Sequence, residues 1–168
     1  MLFWFIGLSI ITVWAVFQSP GVDYRMVALG AVLPLIEVVF DRIVILHTLL
    51  GAILALTIVM LSTVRKRLVR RRWLGLPIGL LLHLVLDGTF SDANLFWWPF
   101  LGPDLEGAGP PELDRGWGLL LGMEVIGLAA LWWFAARFEL LTAPNRAGSL
   151  RTGQLPRETV GDRPEPTC

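Results

Sequence analysis

Cysteine is nearly missing from this chain of 168 residues, with Cys168 its single copy. That excludes an intrachain disulfide framework and a cysteine-ligated zinc site. Charge is scarce as well: 17% of residues are charged, where an ordinary soluble domain carries about a quarter. The 14 Lys and Arg are cancelled by 14 Asp and Glu, so bulk charge gives no excess for neutralising phosphates, and nucleic-acid binding of that kind is excluded. Apolar residues fill the space left by charge. They make up 55% of the chain, the mean hydropathy is +0.65, and the composition is that of a small polytopic membrane protein.

Crossing a hydrocarbon core of ~30 Å takes ~20 apolar residues in a helix, with ~17 as a lower limit. Four stretches meet or approach this: residues 2–17, 43–64, 73–90 and 117–138. The first ends at Gln18-Ser19-Pro20-Gly21, a turn signal, and lacks a basic start and a cleavage pattern, so it reads as an uncleaved helix. A weaker segment, 26–40, carries Pro34 and Glu37 and is followed by Asp41; it either crosses or lies partly re-entrant. The expected fold is therefore all-α, a polytopic bundle of four to five transmembrane helices over residues 1–139. Residues 140–168 hold four prolines and few aromatic or β-branched residues, a composition expected to stay disordered.

Between the second and third long stretches lies Arg65-Lys66-Arg67-Leu68-Val69-Arg70-Arg71-Arg72. By the positive-inside rule this segment is cytoplasmic; it serves as a topology signal or also as a grip on anionic headgroups. The loop 88–116 holds Asp92, Asp104, Glu106, Glu112 and Asp114 against Arg115 alone, which suits the opposite side. The C-terminus is then cytoplasmic and the protein a multi-pass resident of the plasma or inner membrane. Five crossings put the N-terminus outside, four put it inside.

An ionisable side chain at membrane depth costs about 2.5–3.5 kcal/mol on insertion scales, so His47, His83, Asp87 and Glu124, with Glu37 and Asp41 near a span end, each call for a partner or a purpose. At ~1.5 Å of rise per residue, this orientation brings all of them into the outer half of the bilayer. His83 and Asp87 are spaced i,i+4 on one helix face, which suits two ligands on one metal ion or a histidine hydrogen-bonded to a carboxylate. His47 reads as a ligand or as a structural hydrogen bonder. Glu124 is a base, a ligand or a buried protonated acid. The following Phe96-Trp97-Trp98-Pro99-Phe100 cluster reads as an interfacial belt or as a lid over the polar groups.

The run Gly79-Leu80-Leu81-Leu82-His83-Leu84-Val85-Leu86-Asp87 continuing to Trp98-Pro99-Phe100 resembles the signature of the LexA-binding, inner membrane-associated metal-dependent hydrolases: a glycine, HxxxD at a helix end, a short loop and a WP pair. Gly30-Ala31-Val32-Leu33-Pro34 looks like the lead-in to that family's P-D-x-D-H motif, and Leu46-His47-Thr48-Leu49-Leu50 like the end of its H-R-G-x-T-H-S motif. The likeness covers roughly residues 28–100. In place of P-D-x-D-H this chain has Pro34-Leu35-Ile36-Glu37-Val38, and Arg42 stands at the first histidine of the second motif. The resemblance implies metal ligands at His47, His83 and Asp87, with Glu37 as a fourth ligand or a general base; Glu124, outside the likeness, is a reserve candidate for the base. It further implies metal-dependent hydrolysis of an ester or phosphoester; ligands of N and O type suit Zn²⁺ or Mn²⁺, and the position of these groups in the outer half of the lipid bilayer points to an amphiphilic substrate. The alternative is a degenerate multi-pass member that keeps the fold, lacks the chemistry and has a structural or partner-recruiting role.

Overall fold

The computed structural model of the chain describes residues 1–40, 45–102 and 115–156. Asp41, Arg42, the acidic positions 104, 106, 112 and 114, and residues 157–168 lie outside the described residues. Among the described residues eight α-helices follow in order: α1 Leu2–Phe17, α2 Tyr24–Phe40, α3 Leu49–Ser62, α4 Arg67–Trp73, α5 Gly75–Asp87, α6 Ala93–Phe96, α7 Trp117–Arg137 and α8 Ala143–Thr152. Short 3₁₀ turns stand at Ile45–His47 and Thr89–Ser91. No strand occurs among the described residues, so the expected all-α class is observed.

Helix lengths differ from the lengths of the apolar runs. Among the described residues one helix, Trp117–Arg137, is long and apolar enough to cross a membrane. The run 43–64 yields only the 14 residues of α3, and 73–90 only the 13 of α5. The cause is local. The Thr48 hydroxyl accepts from the Gly51 N–H and starts α3 there, as an N-cap does. At the other end of α5, Gly88 adopts φ 78° and closes the helix, a left-handed cap that glycine takes without steric cost. The segment expected either to cross or to re-enter is one continuous helix through Pro34.

Contacts fix the helix directions. A Cβ on Gly79 would strike the Val27 carbonyl and one on Gly75 would meet Asp23 and Met26. One turn further on, His83 meets Ala31. α2 and α5 thus run parallel at a separation that only small residues permit. α1 and α7 are also parallel, since Phe3 meets Glu124, Gly7 abuts Gly127 and Trp14 packs on Trp133 and Phe138. α1 runs against α5, with Phe5 on His83 and Trp4 donating to the Leu86 carbonyl. One apolar cluster joins Ile10, Val13, Tyr24, Val27, Phe134 and Phe138; a second joins Ala52, Leu80 and Leu84 under Phe96.

The two ends of the bundle differ in character. At the end where α2 and α5 begin, Asp23 is buried and paired with Arg25 at 3.0 Å and Arg72 at 2.9 Å, while Arg71 donates to Ser19. The stretch expected to be disordered from residue 140 is corrected here. Residues 143–152 form α8, whose carbonyls at Leu150 and Arg151 accept from Arg25, and Leu155 is buried in the core. Composition argued against a domain folding alone, but this segment does not fold alone: it borrows the α1–α2–α7 surface.

Candidate metal centre

His47, His83 and Asp87 come from the turn before α3, the middle of α5 and its last residue, and all three are buried. One ligand atom from each lies within 4.8 Å of the others, close enough to hold a metal ion. The rings of His47 and His83 meet edge to face with centroids 5.3 Å apart. Asp87 reaches the same point because it follows His83 by one helical turn.

Each ligand is anchored from behind. His83 Nδ1 lies 2.7 Å from the Ala31 carbonyl; a carbonyl can only accept, so Nδ1 carries the proton and Nε2 is the basic nitrogen. The same ring is stacked on Phe5 with centroids 3.9 Å apart. His47 Nδ1 lies 3.2 Å from Glu37 Oε2, and the Leu46 N–H donates to both Glu37 oxygens at 3.0 and 2.9 Å. Glu37 therefore grips the 3₁₀ turn and orients the His47 ring, again leaving Nε2 as the basic nitrogen. Asp87 accepts from the Thr89 hydroxyl at 3.1 Å and is paired with Arg115, whose Nη1 lies 3.1 Å from Oδ1 and whose Nη2 donates to the Asp87 carbonyl.

These residues fit a divalent cation. Two imidazoles and a carboxylate are the donor set of hydrolytic zinc sites, which hold the ion with three protein ligands and keep one position for water. Histidines whose far nitrogen is bound to a carboxylate or a backbone carbonyl are the usual supporting arrangement. Buried carboxylate and imidazole groups are costly without such partners.

The sequence expectations divide here. His47, His83 and Asp87 are brought together. Glu37 was expected as a fourth ligand or a base; its carboxylate is taken up by His47 and Leu46, which makes it an orienting group. Glu124, the reserve base, is engaged elsewhere: Oε1 lies 2.7 Å from the Met1 amino group and Oε2 accepts from the Phe3 N–H at 2.8 Å. That correction follows from α7 packing on the start of α1. Sequence reasoning missed Arg115, Thr89 and Phe5 as site neighbours. The one signal for Arg115 was its isolation as a base among acidic residues, directly before a helix. No family model, curated protein or solved structure matches the chain.

Proposed function

We propose that this protein is a multi-pass membrane protein with a metal-dependent hydrolase centre built from His47, His83 and Asp87. The observation that carries the proposal is their convergence, buried, from separate elements, within 4.8 Å. When bound there, a divalent ion such as Zn²⁺ or Mn²⁺ supplies Lewis acidity and lowers the pKa of a bound water toward ~7. The chain's own residues do the rest. Ala31 and Glu37 fix the two imidazoles, and Thr89 orients Asp87.

The membrane reading draws support from the surface. On α7, Leu119, Leu121, Val125, Ile126, Leu128 and Trp132 are exposed, and on α3 so are Ile53, Leu54, Ile58 and Leu61; water does not tolerate so large an apolar face on a monomer, and lipid does. The helix directions alternate as five crossings require, with α1 and α7 one way and α2 and α5 the other. α3 and α5 reach only ~21 and ~20 Å, so flanking apolar residues and local thinning make up the difference. The cluster sits at the end opposite Arg71 and Arg72, which by the positive-inside rule supports an extracytoplasmic site and an amphiphilic ester as substrate. The resemblance to the LexA-binding, inner membrane-associated hydrolases agrees with this assignment.

One observation favours the non-catalytic alternative. Arg115 already pairs with the Asp87 carboxylate, and Glu37 already faces His47 Nδ1, with no ion needed for either contact. Metal content decides between them. Full-length protein purified in mild detergent is expected to carry about one transition-metal ion per chain by elemental analysis, and His83→Ala to carry none. Metal-free wild type after incubation with Zn²⁺, Mn²⁺ and Fe²⁺ would remove the hydrolase reading.

A further inference from the structure

The metal reading leaves one charged group unused. Arg115 reaches into the cluster from the residue before the α7 cap. Its guanidinium spans two atoms of one residue, the Asp87 carboxylate and the Asp87 carbonyl, and also touches Met1 Sδ at 3.4 Å. The Asp87 side chain is fully buried, whereas Arg115 is 18% exposed, so the arginine bridges the buried carboxylate and the outside.

A carboxylate that would ligate a cation is thus already neutralised by one. We propose that Arg115 competes with the divalent ion for Asp87 and that, once displaced, it receives the anionic head of the substrate, a phosphate ester. The proposal rests on the metal reading above. Counted over Glu37, Asp87 and Arg115, the site carries two negative charges and one positive. A dication entering beside Asp87 meets the guanidinium at short range, where like charges repel strongly and solvent screening is weak. The guanidinium relieves that repulsion by turning from Asp87 toward an anion. Its planar fork matches two oxygens of a phosphate. The carbonyl of a carboxylic ester is neutral and gives this charge nothing to pair with, so the substrate class narrows from esters in general to phosphate esters.

The experiment uses chelator-stripped, full-length protein in detergent micelles and isothermal titration. Wild type, Arg115→Gln and Arg115→Lys are titrated with Mn²⁺ and Zn²⁺, and then, ion-loaded, with inorganic phosphate and with dihexanoyl phosphatidic acid. Arg115→Gln is expected to bind the ion about tenfold tighter than wild type, to gain more thermal stability on ion addition, and to bind phosphate probes about tenfold more weakly. Arg115→Lys keeps the charge and loses the fork, so its ion affinity stays near wild type while its phosphate affinity falls; this variant carries the test if the glutamine variant does not fold. Tighter binding of phosphatidic acid than of phosphate assigns a lipid head, and equal binding assigns free phosphate chemistry. Unchanged or weaker ion affinity in Arg115→Gln, or phosphate affinity untouched in both variants, overturns the role of Arg115 while the metal centre stands. A wild type that binds no ion overturns both.

Discussion

Glu37→Gln separates orientation of the site from its construction. In the native protein Glu37 Oε2 faces His47 Nδ1 at 3.2 Å and the Leu46 N–H at 2.9 Å, while Oε1 faces the same N–H at 3.0 Å. A carboxylate accepts at both oxygens. A carboxamide has one acceptor and two donors, so its oxygen can serve the position of Oε2, but its NH₂ then stands against the Leu46 N–H. The two charge-assisted contacts at Oε2 become neutral and the third, at Oε1, becomes repulsive. Hydrogen bonds to a charged group contribute about 1.5–3 kcal/mol, and removing the group that orients a metal-bound histidine costs 10–100-fold in metal affinity, which is the same range by the conversion of about 1.4 kcal/mol per decade. The expected result is a protein that still folds in detergent, still binds one ion per chain, and does so about 10–100-fold more weakly. Titration with Mn²⁺ and Zn²⁺ against a competing chelator reads this directly, with circular dichroism as the check on helix content. If Glu37→Gln binds the ion as tightly as wild type, Glu37 does not orient His47. If it binds no ion at all while helix content is intact, Glu37 is a ligand, and the division between ligands and supports drawn above is wrong.

Two further outcomes test the frame that holds the site. Gly79→Ala puts a Cβ against the Val27 carbonyl and the Ala31 N–H; α2 and α5 must part, at a cost of about 1–3 kcal/mol for overpacking, and metal affinity should fall with thermal stability because Ala31 anchors His83 one turn away. Gly122→Ala meets nothing within 4 Å and should leave both measurements unchanged or slightly improved. At the opposite end, burial raises the Asp23 carboxyl's pKa, but the hydrogen bond and charge of Arg25, with the backbone N–H groups of Met26 and Arg25, hold it below its ordinary 3.8. A depressed carboxylate stabilises the fold above its unfolded pKa and ceases to as pH falls through its folded value. Melting temperatures of wild type and Asp23→Asn should therefore differ by a constant amount above about pH 5 and draw together as pH falls below about 4 and on through the folded value; a gap that does not narrow over that range would show that the pairing with Arg25 and Arg72 is not the cause.

Much of the fold was legible because helices in apolar runs announce themselves by length and by their breakers. Helix limits were less so. Residues 43–64 read as one continuous span, yet Thr48 is a better cap than a mid-helix residue, and Glu37, nine residues before Leu46, draws the preceding turn onto α2. No hydropathy window contains that interaction. Composition alone did not reveal the helix in the tail either: Pro144 falls in the first turn of α8 and Gly153, at φ 76°, ends it. Of the site, the i,i+4 pair His83 and Asp87 needed only helical geometry. The joining of His47 to it, and the loss of Glu124 to the start of α1, depend on which helices are neighbours, and that information lives in the glycine contacts of α2 with α5 and α1 with α7.

Those contacts also explain why a buried polar cluster is tolerable at this place. A histidine and an aspartate on one helix face would be expensive to bury against lipid. Here α5 is held against α2 by small residues at Gly75 and Gly79, and the close approach aligns the Ala31 carbonyl with His83. The same parallel register carries Glu37 to the level where the turn before α3 returns with His47. α1, antiparallel to α5, covers the ring of His83 with Phe5, and the entry to α7 supplies Arg115 to Asp87. Each residue of the cluster is thus met by a group on a different helix or turn, so the cluster is a product of the packing and not a set of independent side chains. A substitution that loosens α2 from α5 should accordingly disturb metal binding before it abolishes helix content, whereas one on the exposed apolar side of α7, such as Leu121→Ala, should do neither.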